Sequence, residues 1–173
     1  GSPEILISDR WYEPPQDIMN EDWPDHQFAE WPPDCVIKLT DMTGNGQLDI
    51  VQTRSEGKHR LSWFEAPVAP GKGRWTEHVV DDSVDYAHSL NICDMDGDGT
   101  PDIVTAEMHQ SDRARVMVYL NQGNALNWKR QVVATTGSHK LCVADVGNTG
   151  KIDLIGVNWS GDYQPVEMWK QNG

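Results

Sequence analysis

The sequence predicts an all-β fold, a β-propeller built of four-stranded antiparallel blades. A pattern of aspartates and glycines recurs three times, opening at Asp41, Asp94 and Asp145, with spacings of 53 and 51 residues. A repeat period near 50 residues marks propellers, solenoids or arrays. Short segments between the repeats alternate apolar and polar residues: Ile37/Leu39, Leu90/Ile92 and Leu141/Val143 each precede a loop aspartate by four and two positions. Such alternation, bounded by Gly, Pro, Asn and Asp, is the strand signal, and no long segment carries a helical period.

The elements follow in order. Residues 5–33 predict a partial blade, with C-like and D-like strands at about 5–12 and 23–28. Here Trp11-Tyr12-Glu13 and Trp23-Pro-Asp-His26 match Trp63-Phe64-Glu65 and Trp75-Thr-Glu-His78, 52 residues on. Residues 34–86 predict a full blade, with Ala66–Gly73 as a Pro/Gly-rich surface loop between its C and D strands. Residues 87–138 predict a second blade with strands A to D at about 88–93, 102–107, 115–120 and 128–134. Residues 139–173 predict a partial blade that reaches its C strand. The whole chain, 1–173, reads as one propeller segment of about three blades. It is expected to belong to a larger ring of around seven, or to be completed by other copies of the chain.

The turn between strands A and B carries the chemistry. In the middle unit it reads Asp94-Met-Asp96-Gly97-Asp98-Gly99-Thr100-Pro101-Asp102. Ca²⁺ takes six to eight hard oxygens at about 2.3–2.6 Å, and a carboxylate at every second residue supplies them from one short loop. An EF-hand would carry a Glu at loop position 12, where this chain has Thr105 followed by no helical pattern. The expected ligands are Asp94, Asp96, Asp98 and Asp102, with the Thr100 carbonyl. The first loop offers Asp41, Thr43, Asn45 and Asp49, with the Gln47 carbonyl, and should bind more weakly. The third offers only Asp145, Thr149 and Asp153. Gly147 supplies no side chain there, Lys151 adds a cation, and Asn148 takes a glycine's place at a left-handed position that Asn tolerates.

With these loops the chain resembles the FG-GAP/VCBS repeat family, whose blades carry Asp-x-Asp-Gly-Asp-Gly-x-x-Asp between their first two strands. The match is strong in the middle loop and degenerate in the outer two. The resemblance implies a propeller fold and calcium use. Members serve as lectins, adhesion receptors, polysaccharide lyases, sugar dehydratases and scaffolds, so fold alone does not choose a function.

Net charge is −13, from 27 acidic and 14 basic residues, and eight of the acids belong to the three loops. Such a surface argues against nucleic acid as a partner. No apolar run is long enough to span a membrane. Calcium loops suit an extracellular or periplasmic setting, where the ion is abundant. The three cysteines, Cys35, Cys93 and Cys142, fall at non-equivalent positions on A strands and read as buried thiols.

Candidate ligand-binding residues lie where strand A begins and strand B ends. Cys35, His88 and His139 stand six residues before each loop, and Arg54, Glu107 and Asn158 stand five after each loop's last aspartate. Glu56, His109 and Ser160 follow two positions later. His88, Glu107 and His109 are therefore the candidates for catalysis, as base and metal ligands, with Arg54 able to steady an enolate. Trp159 breaks from its repeat mates and offers a face to a sugar, beside His139 and Asn158. The favoured function is a calcium-stabilised carbohydrate-binding or interaction scaffold. A lyase or dehydratase fragment, and a purely structural array, are the alternatives.

Overall fold

The computed structural model describes residues 4–171. These form fourteen strands in four antiparallel sheets, stacked in chain order. The first sheet is β1 (Ile5–Ile7), β2 (Arg10–Tyr12) and β3 (Asp25–Gln27). The second is β4 (Cys35–Thr40), β5 (Asp49–Arg54), β6 (Lys58–Glu65) and β7 (Thr76–Asp85). The third is β8 (Ala87–Cys93), β9 (Asp102–Glu107), β10 (Val116–Asn121) and β11 (Trp128–Ala134). The fourth is β12 (Lys140–Ala144), β13 (Asp153–Val157) and β14 (Val166–Trp169). Within each sheet the strands are neighbours in sequence order, as in a propeller blade, and the four sheets do not close into a ring. Among the described residues no helix is long and apolar enough to cross a membrane.

The first sheet corrects one expectation. Residues 5–12, read as a single C-like strand, form the hairpin β1–β2, in which Ile7 pairs with Arg10. The tight turn rests on Ser8 at φ +54°, a left-handed position without the Gly or Asn that signals one. Trp11 still pairs with His26, as Trp63 pairs with His78, so the C and D assignments of β2 and β3 stand.

Successive residues of a strand point to opposite faces, and the packing follows that alternation. Ile50 faces the first sheet, with Phe28, Trp31 and Phe64. Its neighbour Val51 faces the third sheet, with Leu61, Trp63, Leu90, Ile103 and Tyr119. Val104 then turns to the fourth, with Val116, Val118, Leu141 and Leu154. Polar bonds cross the same junctions. The Trp63 indole donates to the Ala125 carbonyl at 2.8 Å. The Ser89 hydroxyl donates to the His139 carbonyl at 3.0 Å and accepts from the Leu141 amide at 2.9 Å.

Candidate functional site

Three loops occupy one end of the sheets, and they share a frame. Thr40 pairs with Asp49, Cys93 with Asp102, and Ala144 with Asp153, so each loop is closed by the same cross-strand pair. The first aspartate organises the turn. Asp94 accepts amides from Gly97, Asp98 and Gly99 at 2.7–3.1 Å. Asp41 accepts four, from Thr43 to Gly46, and Asp145 accepts those of Thr149 and Gly150. These backbone bonds hold the Asp41 and Asp145 carboxyls below the usual range. Gly97 and Gly99 stand at φ +81° and +87°, and Asn148 occupies the position equivalent to Gly97 at φ +54°.

The last aspartate of each loop is a structural clamp. Asp102 is fully buried, and its two oxygens accept the amides of Met95 at 2.8 Å and Asn121 at 2.7 Å. Asp49 repeats this with Met42 and Ala66. Each residue staples the loop's start to the far end of the third strand. Burial raises both carboxyls, and at Asp102 the like charges of Asp96 and Asp98 add to it.

Among the described residues, only the middle loop gathers three carboxylates. Oxygens of Asp94, Asp96 and Asp102 all lie within 4.8 Å of one another. Ligands on one Ca²⁺ at about 2.5 Å stand at most about 5 Å apart, so this donor set fits a single hard cation. Asp98 is drawn aside: one of its oxygens accepts the Thr100 amide at 2.8 Å and the Thr100 hydroxyl at 2.7 Å.

The opposite end of the sheets holds the other candidates. Between β8 and β9 the register slips, with Ala87 opposite Glu107 and Ser89 opposite Ala106, so His88 falls in a β-bulge. A bulge re-aims the side chain it carries. The His88 ring stacks on His139, centroids 4.2 Å apart and planes 25° from parallel. Trp159 meets His139 edge-on at 5.7 Å and His109 at 6.3 Å. Glu56, which the sequence places at a repeat position without a role, puts an oxygen 3.7 Å from His88 Nε2. Glu56 and His109 hold equivalent repeat positions, and that equivalence was the available signal. Burial lowers the His139 pKa, with help from the charges of His88, Lys140 and His109. His139 is therefore a neutral imidazole at pH 7.

Three of the candidate residues are engaged within the protein, and the expectation of buried cysteines is corrected. Glu107 does not join the imidazoles: it is 0% exposed, and Arg115 grips both its oxygens at 2.5 and 3.0 Å. It also accepts the Asp85 and Arg115 amides and the Ser111 hydroxyl, which leaves no room for a ligand or a catalytic proton. Asn158 is also spent, accepting the His139 amide and donating to the carbonyls of Thr136 and Gly137. Arg54 turns back on its own 55–58 turn, with one nitrogen 3.4 Å from the Lys58 carbonyl. Of the cysteines read as buried, Cys142 is exposed and Cys35 and Cys93 are half-buried.

The fold and its loops define a class, the repeat protein assembled from propeller-like β-sheets. A family model described as FG-GAP-like repeat matches residues 41–105 and again 94–156, a span that runs from the first acidic loop into β13 and takes in all three loops. The chain belongs to the FG-GAP-like repeat family. No curated protein sequence matches it.

Proposed function

We propose that this chain is a calcium-stabilised propeller scaffold whose loop-distal end binds carbohydrate. The observation that carries the calcium reading is the convergence of Asp94, Asp96 and Asp102 within 4.8 Å in a chain of net charge −13. Three carboxylates so close repel one another unless a cation lies between them, so an ion that binds the folded loop stabilises it. The first loop has two carboxylates and two neutral oxygens, and the third has two carboxylates beside Lys151, which ranks them below the middle one. A calcium-dependent fold suits an extracellular or periplasmic setting.

The carbohydrate reading rests on Trp159, 64% exposed beside neutral His139 and half-buried His88 and His109. An indole offers a flat apolar face to a sugar ring, and imidazoles offer a donor and an acceptor to its hydroxyls. Calorimetric titration of the metal-free protein is expected to give one dominant Ca²⁺ site, abolished in Asp96→Asn. Three sites of equal affinity would refute the ranking. A glycan array on the calcium-loaded protein is expected to show binding that Trp159→Ala removes, with the sugar recovered unchanged.

A further inference from the structure

Next to the imidazole cluster, the Tyr86 amide donates to the Gly57 carbonyl at 3.1 Å. Beyond this bond lies a groove of about 780 Å³, bounded by the paired ends of β6 and β7 and by the Asp112-Arg113 turn of the third sheet. That size lies within the range of small-ligand sites. Its lining mixes cations, Lys58, Arg60 and Arg113, with the anions Asp82, Asp85 and Asp112.

Asp85 is the anomaly there. It is 2% exposed, and its Oδ1 is sealed from water with no hydrogen-bond partner among the described residues. The cations around the groove are engaged elsewhere. Lys58 Nζ lies 3.6 Å from Asp112, Arg60 pairs with Glu77, and Arg113 donates to the Ser83 carbonyl and sits 3.5 Å from Glu107. Asp85 also neighbours a second carboxylate, because its own amide donates to Glu107. A buried carboxylate without a partner costs stability, and such a cost is characteristic of a binding position.

We propose that this groove is a subsite for a neutral oligosaccharide, with a sugar hydroxyl reaching in to donate to Asp85 and the remaining N–H groups of Lys58 and Arg113 donating to sugar oxygens. Three cations on the rim disfavour a cationic ligand, and three aspartates disfavour an anionic one. A hydroxyl both donates and accepts, and it suits a lining of both kinds. The subsite deepens the carbohydrate reading: Lys58 and Asp85 stand across the Gly57–Tyr86 bond from Glu56 and His88 of the imidazole cluster.

The test measures Asp85→Asn and Trp159→Ala by calorimetry with neutral tetrasaccharides of glucose, xylose and mannose and with a galacturonate tetramer, together with thermal unfolding without sugar. Asp85→Asn is expected to raise the melting temperature, since it removes an unpaired buried charge. It is also expected to weaken binding of a neutral tetramer about 10-fold or more, the scale of a hydrogen bond to a charged group. A lower melting temperature in Asp85→Asn, unchanged sugar affinity, or binding of the galacturonate alone would overturn the subsite. If Trp159→Ala abolishes binding while Asp85→Asn does not, the carbohydrate reading survives and the groove does not. If no tetramer binds the wild type, both fall together.

Discussion

Glu107 and Asp81 show how single carboxylates hold this fold. Burial opposes the ionisation of Glu107, and its bonds from Arg115 and Ser111 outweigh it, so the carboxyl sits below its ordinary range. Replacing it with Ala leaves the Arg115 guanidinium buried and unpaired, at a cost of about 3–5 kcal/mol. Urea unfolding should report that loss. Asp81 is similar: burial again opposes ionisation, but bonds from Ser83, Tyr119 and Arg130 hold the carboxyl down at about 2. The folded pKa lies below the unfolded one. The stabilisation is therefore complete above the unfolded value near 4 and disappears as pH falls through about 2. It amounts to about 2 kcal/mol. Asp81→Asn should flatten the acid limb of the stability curve between those values.

Glu107 also marks where sequence reading stops at this scale. Its repeat position gave it a place beside His88, and the hydrogen bonds that withdraw it come from Arg115, on the far side of a loop. Nothing in a linear pattern distinguishes a carboxylate that faces water from one clasped by a distant arginine. His59 teaches the same lesson. It directly follows the polar stretch Ser55-Glu56-Gly57-Lys58, yet it lies in β6, half-buried, with its ring 4.6 Å from Trp31.

Among elements, the acidic loops were legible because their geometry is written in adjacent residues. Aspartates at alternate positions and small residues at left-handed turns need no tertiary information. What the sequence did not disclose is the clamping duty of the closing aspartate, since Met95 and Asn121 become its partners only after the strands pair. Substitutions separate this clamp from the proposed metal site. Asp96→Asn should remove metal affinity and leave metal-free stability within about 0.5 kcal/mol, as for a surface position. Asp102→Ala should unfold the protein more readily even without metal, because two buried amides lose their acceptor at about 1–3 kcal/mol each. Thermal melts with and without a chelator would distinguish them. The His88 bulge belongs to this scale too. The folded pKa of His139 lies below its unfolded value, so folding releases a proton. Its contribution is intact above about 6.5 and declines as pH falls below that value. His139→Gln should remove that decline, as followed by chemical denaturation at stepped pH.

For the whole molecule, the period and the alternation were enough to place the two central sheets, because every blade repeats one solution to burying both faces of a sheet. The first sheet was harder to read. Its β1–β2 turn uses Ser8 and Asp9, which carry no strong turn signature, so two three-residue strands merged into one. The relation between distant ends was out of reach altogether: the His88–His139 stack and the Asp85 groove arise from how one sheet lies on the next.

Ile50 and Val51 belong to different cores although they are neighbours in the chain, as do Ile103 and Val104. A deletion of one residue within β5 or β9 would therefore exchange the allegiances of every later side chain in that strand, pushing each into the wrong junction. The exposed 68–73 stretch of the loop after β6 bears no such constraint, and residues can be added there at little cost. Length variation among descendants of this chain should accumulate at the outer hairpins and spare the second strand of every sheet.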